Sequence, residues 1–147
     1  GLDYFSLDRE VFWLPGWNMR DRQEQRQRIA GIAARECWIM DGTNPSSFDL
    51  RLPRTNLVIW VRMPRFLCLK GVILRWLKYA GRTRPEMAPG CPERLEWDFL
   101  RYIWTFERVF TPRVIAALDA HGPDVPIVAL KSRRDMRQLV GRLNQSS

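Results

Sequence analysis

The chain has 147 residues, 46% hydrophobic and 27% charged, a composition typical of one folded domain rather than a disordered segment. Its formal net charge of +8 predicts an anionic partner, such as a nucleotide, a nucleic acid or a membrane surface. Cys37, Cys68 and Cys91 are far apart in sequence, which favours a reducing cytosol over a disulfide scaffold or a zinc site.

Short apolar runs alternate with helical segments along the chain. Strands are predicted at residues 2–7, 37–40, 56–61 and 125–130, and an aromatic loop at 9–17. Helices are predicted at 20–36, 65–79, 93–108, 112–120 and 133–143. A short further helix starts at Ser46 or Ser47 and ends at Leu52. This alternation predicts an α/β fold with a parallel sheet. The continuously apolar run at 56–61 is typical of a strand covered on both faces.

Aromatic residues are concentrated in two segments. The loop at 9–17 holds Phe12, Trp13 and Trp17, three rings that must pack on protein or cover a ligand. The helix at 93–108 carries five more aromatic residues, which we interpret as core rather than as a platform for nucleobases.

The most apolar predicted helix, at residues 65–79, does not have the composition of a membrane span. Lys70 and Arg75 interrupt its apolar residues, and the run is too short to cross a bilayer. We therefore predict a cytoplasmic protein without a membrane partner.

The segment from Arg75 to Arg94 has the features of a mobile lid. Seven basic residues and no acid lie between residues 62 and 84. Residues 81–94, the flap, contain three prolines and two glycines, which predicts a loop between two helices. Because arginine donates paired hydrogen bonds to phosphate, the flap is predicted to be a phosphoryl-transfer lid, and a solvated basic loop is the alternative. The candidate arginines are Arg75, Arg82, Arg84 and Arg94.

Three segments resemble one bacterial family. They are CWIMDGTN at residues 37–44, DLRLPRTNLVIWVRMPR at 49–65 and GRTRPEMAPGCPER at 81–94. On these segments the chain resembles the DNA topology modulation protein family, which is similar to adenylate kinases and belongs to the P-loop kinase-like nucleoside triphosphatases. The resemblance covers nearly the whole chain. It implies a single domain over residues 1–147 with a three-layer α/β/α fold around a five-stranded parallel sheet.

The phosphate-binding loop of that family is not found in these 147 residues. The resemblance implies a first strand that leads into a glycine-rich loop ending in Gly-Lys-Ser/Thr, whose backbone amides and lysine hold the triphosphate. By analogy with the fold, the missing strand would lie in the middle of the sheet, and its loss would expose the edges of two neighbours. We expect a truncated sequence to explain this, with domain swapping or a degenerate fragment as the alternatives.

The resemblance implies an ATP-binding, Mg²⁺-dependent phosphotransferase or ATPase with a small phosphorylated or hydroxyl-bearing acceptor. Asp41, followed by Gly42, lies where P-loop proteins place the acid that orients Mg²⁺ through water, and a plain Asp-Gly turn is the alternative. Asp8 would face the acceptor as a general base. One extra residue separates Asp8 from Trp13 compared with the family's spacing.

Further site residues follow from the same resemblance. Asn44 and Arg51 are candidates on the acceptor side, although Arg51 could instead pair with Asp49. At the flap, the candidates are Arg75, Arg82 and Arg84 for catalysis and Arg94 for substrate binding. Lys131, Ser132 and Arg133 lie where related kinases place the loop beside the adenine base, and exposed residues in the first turn of a helix are the alternative.

A basic nucleic-acid-binding protein that affects DNA topology without catalysis is the alternative function. Its support is the basic stretch at residues 65–84 together with the net charge of +8. No helix-turn-helix, zinc-finger or RNA-binding motif is recognisable in the sequence.

Overall fold

A computed structural model describes residues 1–145, in which six α-helices and six strands follow one another along the chain. The strands are β1 (Asp3–Ser6), β2 (Trp13–Leu14), β3 (Asn18–Met19), β4 (Trp38–Asp41), β5 (Val58–Val61) and β6 (Ile127–Leu130). The helices are α1 (Arg22–Ala33), α2 (Phe48–Arg51), α3 (Arg65–Tyr79), α4 (Trp97–Val109), α5 (Thr111–His121) and α6 (Arg133–Gln145). No helix among residues 1–145 is both long and apolar enough to span a lipid bilayer.

Side-chain caps explain where α1 begins but not where α2 begins. The Asp21 carboxylate accepts a hydrogen bond from Gln23 N at 2.7 Å, which satisfies an amide that a helix start leaves unpaired. Ser47, predicted as a candidate cap of α2, instead donates its hydroxyl to the Asn44 carbonyl. A 3₁₀ turn, Pro45–Ser47, leads directly into α2, so that helix needs no separate capping residue.

The four longer strands form two separate parallel pairs. β1 pairs with β4, so that Ser6 is opposite Asp41, and β5 pairs with β6, so that Val61 is opposite Leu130. Within residues 1–145 the two pairs are not hydrogen-bonded into one sheet. The prediction of a mixed α/β fold with parallel strands is confirmed, with the parallel strands in two small sheets.

In β5 the apolar residues alternate between a packed face and an open face. Val58 and Trp60 pack against α2 and α5, whereas Ile59 and Val61 are 47% and 51% exposed. The expectation that this run is covered on both faces is wrong, because the second face of β5 stays open to solvent in the described chain.

Two buried clusters hold helices against the strand pairs. The first lies between the β1–β4 pair and α1 and contains Leu7, Val11, Ile29 and Ile32. The second lies under β5 and contains Phe48, Leu52, Val114 and Leu118. Fully burying each such side chain contributes roughly 1.5–3 kcal/mol, so these clusters supply most of the packing that positions the strand ends. Leu50 packs against the first cluster while Phe48 lies in the second, so α2 connects them.

The aromatic residues of α4 are divided between two faces. Tyr102 contacts Phe106 and Phe110 edge-on, with ring centroids 5.3 Å and 4.6 Å away. Trp97 and Trp104 lie on the opposite side and are 86% and 47% exposed. The interpretation of this helix as core is therefore wrong for its two tryptophans and for Phe99, which is also exposed.

Candidate functional site

Two carboxylates lie at the carboxyl ends of the adjacent strands β1 and β4. Asp41 is the last residue of β4, and its Oδ2 accepts a hydrogen bond from the Tyr4 hydroxyl at 3.0 Å. The following residue, Gly42, has φ +139°, and a Cβ there would come within 2.9 Å of Leu7. Only glycine fits this turn without strain. The carboxyl ends of parallel strands are where α/β folds bind ligands, which makes this edge the candidate site.

Asp8 begins a π-helical turn, Asp8–Phe12, two residues after β1 ends. Its side chain is open to solvent on one side, yet enough protein surrounds it that burial raises its pKa above the ordinary value of 3.8. The positive charge of Arg84 opposes this shift, the carboxylate of Asp41 adds to it, and Arg75 opposes it. The structure thus places Asp41, Arg75 and Arg84 within electrostatic reach of Asp8.

A buried glutamate holds the two arginines of this cluster. Glu93 Oε1 accepts a hydrogen bond from Arg75 Nε at 2.7 Å, and Glu93 Oε2 lies 3.0 Å from Arg84 Nε. The Glu93 side chain is only 4% exposed. Both guanidinium groups face Glu93 through Nε, but only Arg75 donates a hydrogen bond there, and the buried Arg84 Nε has no hydrogen-bond partner within residues 1–145. The Nη amino groups of the two arginines donate no hydrogen bond to protein among these residues. The Nη amino groups of both arginines are therefore available to bind an oxyanion.

The flap is a closed loop whose two ends meet. Ala80 forms a β-bridge with Glu93, and Glu93 N donates to the Arg82 carbonyl at 2.9 Å. The loop then crosses the end of β1, where Ser6 Oγ donates to the Glu86 carbonyl at 3.0 Å. These contacts place the flap beside Asp8 and explain how Glu93 reaches both arginines.

The middle of the flap is anchored by apolar packing. Met87, Ala88 and Cys91 are buried against Trp13 and Trp17. The flap therefore buries apolar side chains and is not the solvated basic loop given as the alternative. The prediction that the rings of the 9–17 loop must pack on protein or cover a ligand is confirmed for these two tryptophans, which pack on protein.

Two of the four candidate arginines at the flap lie outside the cluster. The Arg82 side chain is exposed and contacts none of the charged groups described above. Arg94 stacks its guanidinium over the Trp17 ring at 4.5 Å and forms an ion pair with Glu96 at 2.8 Å. The structure therefore assigns the cluster to Arg75 and Arg84 rather than to Arg82 and Arg94.

Arg51 is a buried structural residue rather than an exposed ligand for an acceptor. It donates hydrogen bonds to the carbonyls of Gly42 at 2.9 Å, Thr43 at 2.7 Å and Asn44 at 3.1 Å. Burial lowers its pKa to about 10. The alternative ion pair with Asp49 is also absent, because the Asp49 carboxylate binds Arg26 at 2.5 Å. Asn44 contributes its backbone carbonyl to Arg51, so its predicted role at the acceptor has no support in this geometry.

Lys131 and Ser132 lie in the cap of the last helix, and Arg133 is the first residue of that helix. The backbone amides of Lys131 and Ser132 both donate to Asp135 Oδ2, at 2.8 Å and 2.9 Å, and Ser132 Oγ accepts from Asp135 N at 3.1 Å. This reciprocal arrangement is a capping box with Ser132 as the helix cap. The two amides are thus already paired within the chain, and the Arg133 side chain is exposed.

The cluster suits Mg²⁺ bound together with a phosphate. Residues 1–145 contain no group of three or more His, Cys, Asp or Glu side chains that could enclose a metal. Mg²⁺ does not need one, since it is usually held by one or two carboxylates, substrate phosphates and water. Asp41 and Asp8 supply two carboxylates. With Glu93 the cluster has three acids against two arginines, so it carries an excess negative charge that a divalent cation would neutralise.

Sequence reasoning missed Glu93 and Tyr4. Glu93 was noted only as the residue at which helical character resumes, and Tyr4 only as part of an apolar strand. One signal was present: Glu93 is one of two acids in an otherwise basic flap. Burial of an acid there would require basic partners, and the nearby arginines are the obvious ones.

Neither the family models nor the curated proteins compared with this sequence give a match, and no solved structure matches its fold.

Proposed function

We propose that this chain is part of an ATP-binding, Mg²⁺-dependent phosphotransferase or ATPase of the P-loop kinase type, acting on a small phosphorylated or hydroxyl-bearing acceptor. The observation that carries the proposal is the pairing of two strand-end carboxylates, Asp8 and Asp41, with two arginines fixed by the buried Glu93. Phosphoryl transfer depends mainly on positioning and charge neutralisation, and this cluster offers groups for both.

The arginines bind phosphate in this proposal, and Glu93 positions them. Glu93 engages the Nε side of Arg75 and Arg84, so their Nη groups can donate to oxygens of the transferred group. Because Glu93 orders the two guanidinium groups before phosphate binds, the entropic cost of phosphate binding is lower. Glu93 itself would touch no substrate and acts only through the arginines.

Asp41 would hold Mg²⁺ through water, and the ion would neutralise phosphate charge when bound. Tyr4 keeps the Asp41 carboxylate in place through its hydroxyl. Asp8 would accept the proton of the acceptor hydroxyl, a role that a carboxylate with a raised pKa performs better than an ordinary one.

In the proposed architecture the two parallel strand pairs belong to one three-layer sheet. Within the described chain, β4 pairs only with β1 and β5 pairs only with β6, so one edge of each is available to a central strand.

Calorimetric binding of ATP in the presence of Mg²⁺, at moderate salt, tests the proposal. We expect saturable binding that Asp41→Asn weakens by at least tenfold while the melting temperature is unchanged. Asp119→Asn, an exposed acid on α5, is the matched control and should bind like the parent. Equal affinities in Asp41→Asn and Asp119→Asn, or no saturable binding by the parent chain, would reject the proposed function.

A further inference from the structure

One side of α4 carries alternating tryptophan and arginine residues. Trp97, Arg101, Trp104 and Arg108 are separated by four, three and four residues, a spacing that places them on one helical stripe. All four side chains are exposed, Trp97 most of all. Because Tyr102 and Phe106 already pack on the opposite face, this stripe is not the core side of the helix.

The stripe continues onto the start of α3. The Arg65 guanidinium lies over the Trp104 ring at 4.9 Å from the centroid, and Phe66 meets the same ring edge-on at 5.6 Å. Arg65, Trp104, Thr105, Glu107 and Arg108 line an open cavity of about 310 Å³.

The charge of this surface selects an anionic partner. α3 and α4 together carry six basic and two acidic residues. One of the acids, Glu107, is paired with Arg62, so its charge is offset. A second copy of the chain would bring the same excess of positive charge against the stripe, which disfavours self-association through it.

We propose that the face formed by Trp97, Arg101, Trp104, Arg108, Arg65 and Phe66 binds single-stranded nucleic acid. Unpaired bases stack on the exposed rings, and the arginines between them meet the phosphates. Each base that stacks on an aromatic ring contributes about 1–3 kcal/mol, with little dependence on sequence. Duplex bases are stacked on each other and cannot use the rings, so the face discriminates in favour of single strands.

The test is fluorescence anisotropy of labelled oligothymidine, compared with a duplex of the same length. The double variant Trp97→Ala/Trp104→Ala should weaken oligothymidine binding by about 10- to 100-fold, which corresponds to roughly one stacked base or more. Trp97→Phe/Trp104→Phe keeps a ring at each position and should retain most of the affinity. Arg101→Ala/Arg108→Ala should lower the slope of log affinity against log salt by about 1–1.5, since each phosphate contact on a single strand contributes about 0.7.

The controls separate this surface from general basic attraction. Arg22→Ala/Arg137→Ala removes two exposed arginines on other helices and should leave the affinity nearly unchanged. Unchanged oligothymidine affinity in Trp97→Ala/Trp104→Ala, or equal affinity of the parent for single strand and duplex, would overturn the proposal. So would a parent dimer that the same tryptophan substitutions convert to monomer, since the stripe would then serve self-association.

Discussion

Glu93 Oε2 lies 3.0 Å from Arg84 Nε, and the glutamate side chain is almost completely shielded from solvent. The same carboxylate binds Arg75, which comes from the preceding helix α3 rather than from the flap. A single buried acid therefore ties the flap to α3. Since an unpaired charge in such a position is costly, the pairing fixes where the flap joins the body of the protein.

The first prediction concerns the loss of this charge. Glu93→Gln should lower the free energy of unfolding by about 2–4 kcal/mol, because an amide cannot compensate two partly buried guanidinium groups. Urea unfolding followed by circular dichroism measures the change. In a double-mutant cycle, Arg84→Gln should cost less in the Glu93→Gln background than alone. Additive effects would show that the two residues are not coupled.

The second prediction separates two neighbouring arginines. Arg84→Ala removes a guanidinium held by Glu93 and should weaken binding of ATP with Mg²⁺ by about 10- to 100-fold, the value of one charge-assisted contact. Arg82→Ala removes the same charge from an exposed position and should change affinity less than threefold by comparison. Calorimetry of both variants at one salt concentration is the measurement. Equal losses would mean that general positive charge, and not the cluster, attracts the ligand.

The third prediction concerns pH. The folded-state pKa of Asp8 lies above its ordinary value of 3.8, so between these two values the folded chain binds more protons than the unfolded chain. Stability must therefore fall as pH rises through this window. Asp8→Asn removes the titrating group and should flatten the stability profile from about pH 4 upward, with a higher melting temperature at neutral pH. A profile identical to that of the parent would show that Asp8 is not buried enough to matter.

Local patterns in the sequence were sufficient for the longer helices and strands, but not for the short strands β2 and β3 or for the partners of side chains. Residues 65–79 and the helix cap at Ser132 could be predicted because their signals lie within a few residues of each other. The partner of Asp49 could not, since Arg26 is 23 residues away along the chain. Burial of the flap was missed for the same reason, because Trp13 and Trp17 come from a distant loop. The exposed tryptophans of α4 could have been recognised from helical periodicity.

The fourth prediction concerns Arg51. Its guanidinium donates to three backbone carbonyls of the loop after Asp41, a task that the single ammonium of lysine cannot repeat with the same planar geometry. Arg51→Lys should lower the free energy of unfolding by about 1–3 kcal/mol. It should also weaken the Mg²⁺ dependence of ATP binding, because Asp41 loses its support. Arg54→Lys, an exposed neighbour, is the control for chemical denaturation and for binding.

The last prediction concerns the motion of the flap. Met87, Ala88 and Cys91 are buried on Trp13 and Trp17, and Gly16 N donates to the Gly90 carbonyl at 3.0 Å. Apolar burial offsets the entropy of ordering a loop, so the flap should be held down before any ligand binds. Amides near residues 87–91 should therefore exchange with deuterium more slowly than those near 82–85, where the side chains are more open to solvent.

Removal of the Trp17 side chain tests directly whether apolar packing holds the flap in place. Trp17→Ala removes one ring of the apolar contact and the hydrogen bond from its indole to the Pro92 carbonyl. Exchange across residues 81–92 should then rise at least tenfold, while exchange in α1 stays as in the parent. Addition of a non-hydrolysable ATP analogue with Mg²⁺ should restore protection in the variant, because the arginines then gain phosphate partners in place of the lost packing. If Trp17→Ala leaves flap exchange unchanged, the apolar contact does not hold the flap, and its order must come from Glu93 alone.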